Sequence, residues 1–204
     1  MKLLYKVEPI TVKRAFVVAQ KIRYARGQNK RYLPKLTRKA FLRKLNRAKQ
    51  AVFKLNEAQL DRIIEVEYKK RKIAYDEAEW YMAVATPREL GVWRRAGGLP
   101  PQWTCGSLLE TTRYVKRSLE KNSKKIRARS KRAIPRIAEF VDIITQDSTL
   151  YPIVFQHNTG TRGRRWCKRK VKGDIDDGCM RAIALVLRGY KQLKIYYGKP
   201  KQKC

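Results

Sequence analysis

The chain is short of acid: 17 aspartates and glutamates stand against 50 lysines and arginines, and the formal charge is +33 at neutral pH. It has one histidine, His157, and its four cysteines (Cys105, Cys167, Cys179, Cys204) show no C-x-x-C spacing. Structural zinc takes paired ligands a few residues apart, so no metal is expected, and the cysteines read as reduced thiols of an intracellular protein. No apolar run approaches the ~20 residues of a membrane span; none is longer than the one that ends Ile183-Ala184-Leu185-Val186-Leu187. The start, Met1 to Lys6, meets charge too early for a signal peptide, so a cytoplasmic protein without a membrane partner is expected. There is no P-loop, no G-x-G-x-x-G, no recognisable order of Ser, His and acid, and no internal repeat.

What is present is positive charge on a chain that folds. Hydrophobic residues make up 43% and aromatics 10%, too many for a disordered basic tail. A small domain stays soluble with a net charge of roughly 2–8 in magnitude, and more like charge repels itself in the compact state. The excess therefore points to a polyanionic partner, and the phosphate backbone of nucleic acid is the commonest one in cells. Other proteins of a larger assembly, ribonucleoprotein or phage and mobile-element particles among them, are a further class of partner.

Along the chain, residues 2–10 alternate loosely as a strand would, and Ala15, Val18 and Ile22 recur at helical spacing after Thr11. Thr37 is a candidate N-cap for a helix with Phe41, Leu45 and Val52 near one face and basic residues elsewhere. Asn56 and Gln59 have the spacing of a capping box, predicting a helix that continues to about Thr86. That helix would gather a cluster of acids (Glu57, Asp61, Glu65, Glu67, Asp76, Glu77, Glu79), either turned away from a polyanion or paired with a basic neighbour. Thr86-Pro87-Arg88-Glu89 carries the signals of a helix start, stopped by Gly97-Gly98-Leu99-Pro100-Pro101. Further helices are expected over 107–128, 133–144 and 177–187, with strands over 150–155 and 193–197. The expected class is mainly α with a small α+β C-terminal unit: a helical region at 1–147, then a β-loop-α-β unit at 148–204.

Two basic segments stand out as nucleic-acid contacts. The first, 116–136, includes Lys116, Arg117, Lys124, Lys125, Arg127, Arg129, Lys131 and Arg132. The second, 162–172, holds Arg162, Arg164, Arg165, Lys168, Arg169, Lys170 and Lys172 around Trp166, which either stacks on a base or anchors its own loop. Asp174-Ile175-Asp176-Asp177 is the one constellation that suggests catalysis. Carboxylates so close repel one another and gain from sharing a divalent cation such as Mg²⁺; alternatively, Asp174 or Asp176 caps the following helix.

Two stretches resemble known families. Thr86 to Trp103, with Thr-Pro, a mid-helix Trp93, the pair Arg94-Arg95 and Leu99-Pro100-Pro101-Gln102-Trp103, resembles the recognition half of Cro-like helix-turn-helix repressors. That resemblance implies Arg88, Glu89 and Val92 facing base edges and Arg94 and Arg95 on phosphate, and it favours DNA over RNA; an ordinary capped helix with Trp93 and Trp103 in the core is the other reading. Asp174-x-Asp176 followed by Arg181 is similar to the metal-binding segment of RusA-type Holliday junction resolvases, although that family has lysine at Arg181 and asparagine at Asp177. The leading expectation is a non-enzymatic nucleic-acid-binding protein without cofactor. The alternative is a Mg²⁺-dependent nuclease using Asp174, Asp176, Asp177 and Arg181.

Overall fold

The computed structural model describes residues 1–24, 37–120, 130–161 and 170–201. Its elements run β1 (Lys2–Val7), α1 (Pro9–Tyr24), α2 (Arg38–Phe53), α3 (Glu57–Asp76), β2 (Ala78–Ala85), β3 (Leu90–Gly91), α4 (Leu108–Glu120), α5 (Ser130–Ile143), β4 (Ile153–Gln156), β5 (Gly173–Asp177), α6 (Cys179–Leu187) and β6 (Leu193–Pro200). The class is the expected one, mainly α with an α+β portion.

Local signals account for several helix starts. Thr37 accepts a hydrogen bond from the Ala40 amide at the head of α2. Asn56 and Gln59 exchange both bonds of a capping box at the head of α3. Ser107 and Glu110 do the same for α4, with Glu110 accepting from the Ser107 amide at 2.9 Å. Phe41, Leu45 and Val52 are the buried face of α2, as their spacing predicts.

The six strands form one mixed sheet in the order β1-β2-β6-β4-β5-β3. β2 pairs antiparallel with both β1 and β6, β6 and β4 run parallel, β4 and β5 antiparallel, and β5 and β3 parallel. The division expected at 147/148 does not separate two units. β6, from the C-terminal segment, lies between β2 and β4, and one hydrophobic core draws on both sides of the boundary. A central strand needs a paired neighbour on each side, and β2 finds its second one more than a hundred residues downstream.

On one face, Phe16 of α1, Tyr75 of α3, Trp80 of β2 and Phe155 of β4 meet mostly edge to face, with centroids 5.0–5.9 Å apart. The Trp80 indole donates to the Tyr75 carbonyl, and Gly198 opposite it has no room for a side chain: a Cβ there would lie 2.9 Å from the ring. Helix α1 is buried almost all round through Val12, Phe16, Val17, Val18 and Ala19, and it carries two buried polar side chains, Lys13 and Gln20.

Three expectations are corrected. α3 ends at Asp76, and 78–85 is strand, because Trp80, Tyr81 and Val84 fit a pleated surface between β1 and β6. Thr86 to Trp103 is not an α-helix. The Thr86–Glu89 contact forms, with Glu89 Oε2 accepting from the Thr86 amide at 2.9 Å, but it closes a single turn. Leu90 and Gly91 then pair with Gly173 and Asp174, and 3₁₀ turns follow at Ala96–Gly98 and Pro101–Trp103. Asp174 and Asp176 do not cap a helix either. They lie in β5, and Gly178, in the left-handed region at φ +90°, is the N-cap of α6.

Replacing Asn56 with alanine removes one half of the α3 capping box. Urea denaturation is expected to show a loss of about 1 kcal/mol with an unchanged m-value.

Candidate nucleic-acid interface

Several of this protein's few acids are used inside it. Lys13, 1% exposed, places its Nζ 2.9, 2.7 and 2.6 Å from Glu57, Asp61 and Asp76. Burial alone would lower the Lys13 amine, but the three carboxylates outweigh it and hold it above its usual range. Those carboxylates are the one group of three His, Cys or acidic side chains among the described residues that converges closely enough for a metal. An ammonium already stands where the cation would sit. Part of the acidic stretch is thus paired with a basic residue of a neighbouring helix, one of the two arrangements expected.

The aspartates of β5 are also engaged. Asp176 accepts from Arg71 Nε at 2.7 Å and Nη2 at 3.2 Å, from Tyr75 Oη at 3.2 Å and from Thr161 Oγ1 at 2.7 Å. Burial works against the Arg71 cation, but the Asp176 charge overcomes it and raises the guanidinium above its usual range. Burial, then the same carboxylate, pushes the Tyr75 phenol well up, so it remains a donor. Asp174, 1% exposed, lies with Oδ2 2.8 Å from His157 Nδ1 and accepts from the Asn158 amide at 3.2 Å. A carboxylate partner selects the histidine tautomer with its proton on Nδ1. Asp177 pairs with Arg181 at 2.8 Å, one helical turn on. With Asp176 held by a guanidinium and Asp177 by another, the three do not present a shared point for Mg²⁺, and the donor set does not fit that ion.

Net positive charge is left on the outside. Helix α2 has six basic residues and no acid; Arg38, Lys39, Arg43, Arg47 and Lys49 are exposed or partly so, and Lys44 is half-buried. On α4, Lys116 and Arg117 are exposed, Lys116 lying 3.8 Å from Glu120. Arg88 and Arg94 are exposed beside β3, and so is Arg95, whose backbone sits in the left-handed region at φ 62°. Val92 is fully buried, and Glu89 is bound by Lys172 at 2.8 Å and by the Met1 amino group, so neither faces outward as a recognition helix requires. Trp93 and Trp103 are half-buried, Trp103 stacking on Tyr114 with centroids 6.1 Å apart.

Lys170 is exposed. Lys124, Lys125, Arg127, Arg129, Arg162, Arg164, Arg165, Trp166, Lys168 and Arg169 lie outside the described residues, as do the side chains of Lys131 and Arg132.

One cavity of about 620 Å³ opens where α1, α2, α5 and the β5–α6 turn meet. Five cations (Lys44, Arg71, Arg95, Arg136, Arg181) and two carboxylates (Asp176, Asp177) line it, a surplus of three positive charges. Neither α2 nor Gln20 stands out from sequence as part of a site. The even spread of basic residues on α2 is visible as a helix without acids, but the cavity combines segments from distant parts of the chain.

No protein-family model matches the chain, and neither a curated protein nor a solved structure matches it. No helix among the described residues is long and apolar enough to cross a membrane.

Removing one partner of the Arg71–Asp176 pair leaves a buried charge alone. Arg71→Met is expected to destabilise by about 3–5 kcal/mol in urea melts, and adding Asp176→Leu should recover much of that loss. Glu89 gives a separate pH signature. Burial would raise its carboxyl, but hydrogen bonds from Lys172, Met1 and Thr86 bring it from 4.5 down to about 2. A carboxyl lowered by folding stabilises above its unfolded value, and that stability is lost as pH falls through the folded value. Thermal melts should therefore decline between pH 4.5 and about 2, and Glu89→Gln should flatten that part of the curve.

Proposed function

We propose that this protein binds nucleic acid by gripping its phosphate backbone, and that it works as a binding protein and not as an enzyme. The observation that carries this reading is helix α2, whose sixteen residues include six basic and no acidic side chains and lie beside a cavity with positive walls. Lys13 gathers three carboxylates that would otherwise offset that surface. Arg88, Arg94, Arg95, Lys116, Arg117 and Lys170 add exposed charge outside α2. Strand cleavage through Asp174, Asp176 and Asp177 has less support, since two of these carboxylates are held by guanidinium groups. The preference for DNA rested on the helix-turn-helix-like stretch 86–103; without its helix, DNA and RNA stand as equal arms of the test.

Equilibrium binding of the full chain to labelled DNA and RNA over a range of salt tests the reading. Neutralising Z phosphates predicts that log K falls against log salt with a slope of about −0.9Z for duplex DNA and −0.7Z for single strands. Arg43→Glu and Arg47→Glu are expected to weaken binding to all sequences alike and to make the slope shallower by about 1 for each phosphate no longer neutralised. A flat salt dependence would shift the reading to acidic protein partners. Cleavage in Mg²⁺ that disappears in Asp174→Asn would replace binding with catalysis.

A further inference from the structure

Two of the aromatic rings at the surface of this protein are closed over by a cation. The Arg14 guanidinium carbon lies 4.7 Å from the centroid of Phe53, which is 72% exposed, and Lys199 Nζ lies 5.4 Å from that of Tyr81. Tyr114 of α4 differs. It is 42% exposed, its ring stacks on Trp103 with planes 7° apart, and among the described residues no cation lies over it. Its neighbours on the helix are nonetheless basic. Arg113 precedes it and Arg117 follows one turn on, both exposed and neither paired with a carboxylate among the described residues.

The local structure holds that ring in place. Leu108, Thr111, Thr112, Val115 and Ser118 are the buried side of α4, which leaves Tyr114 and Arg117 on the outward side. Their i, i+3 spacing sets the two Cβ atoms about 5–6 Å apart. Trp103 ends a 3₁₀ turn that two prolines lead into, and its amide donates to the Pro100 carbonyl at 3.0 Å. Its own carbonyl accepts from the Thr111 hydroxyl at 2.7 Å, which ties the turn to α4 one turn before Tyr114. The acids of α4 are turned to other partners: Glu110 accepts from the Ser107 amide and hydroxyl, and Glu120 lies 3.8 Å from Lys116. A ring supported on one side, open on the other and flanked by cations matches the two parts of a nucleotide, a flat base and an anionic phosphate.

We propose that Tyr114, backed by Trp103, is a stacking platform for one unpaired base of a nucleic-acid strand, with Arg113 and Arg117 meeting the phosphates beside it. The proposal rests on the nucleic-acid reading above and adds to it a preference for single strands. Inside a duplex each base is already stacked on both faces, so Tyr114 has no free surface to take. Because every base has a π face, the platform is tolerant of sequence. Holding Trp103 and Tyr114 in place before binding lowers the ordering cost of the contact.

Fluorescence anisotropy of the full chain is measured over a range of salt with a labelled single-stranded oligonucleotide and with a dumbbell duplex of equal charge, closed by loops of non-nucleotide linker at both ends. Tyr114→Leu keeps an apolar side chain against Trp103 and removes the π face. It is expected to weaken single-strand binding about tenfold, within the range for one base on one aromatic ring, and to change dumbbell binding less than twofold. Tyr114→Phe should retain wild-type affinity for both. The slope of log K against log salt should be unchanged in Tyr114→Leu, which loses no phosphate contact, and shallower by about 0.7 for single strands in Arg117→Gln. Urea melts establish that each variant is folded at the temperature of the binding measurement. Single-strand affinity unchanged in Tyr114→Leu, or an equal loss on both substrates, overturns the platform and leaves phosphate binding standing. If the wild type binds neither substrate at low salt, the nucleic-acid reading falls, and the platform with it.

Discussion

Arg71 and Asp176 meet where the last turns of α3 cross β5, 105 residues apart in the chain, and much of the architecture depends on their contact. The guanidinium lies over the Phe16 ring of α1, with its carbon 4.5 Å from the centroid, while Tyr75 and Thr161 satisfy the remaining capacity of the carboxylate. One buried pair thus ties the α1–α3 layer to a strand of the C-terminal half. Its geometry is two-pronged and its neighbours complete it, which is the condition under which attraction offsets the loss of hydration.

The same logic governs charge elsewhere. This chain has few acids, and the structure places several of them where a cation would otherwise be stranded: Glu57, Asp61 and Asp76 around Lys13, Asp176 against Arg71, Asp177 against Arg181. Exposed basic residues on α2 and α4 are left to face solvent. Three acids gathered on one buried lysine leave fewer to offset the cations outside, and a net positive field favours polyanions at long range.

Features set by a few neighbouring residues were legible from sequence. Thr37, and Asn56 with Gln59, start helices as their spacing predicts, because a cap needs only a side-chain oxygen within reach of an amide three residues on. Thr86 to Glu89 shows the limit of that reasoning. The local contact formed as the residues suggested, yet β5 offered Leu90 and Gly91 a strand partner, and the chain was drawn into the sheet after a single turn. The Asp174–Asp177 cluster was misread for the same reason. Its neighbours in sequence suggested a cap or a metal site, while its neighbours in space, Arg71, His157 and Thr161, come from segments that no local pattern connects to it.

By itself, the sequence determined the sign and size of the charge, the mainly α class with an α+β portion, and the starts of α2 and α3. These follow from composition and from contacts a few residues apart. Tertiary structure alone decided that β6 sits between β2 and β4, that Asp61, Asp76 and Asp176 are turned onto buried cations, and that cations from distant segments line a common cavity. Strand order and the burial of charge depend on which distant segments can satisfy one another, and no short stretch of chain contains that information.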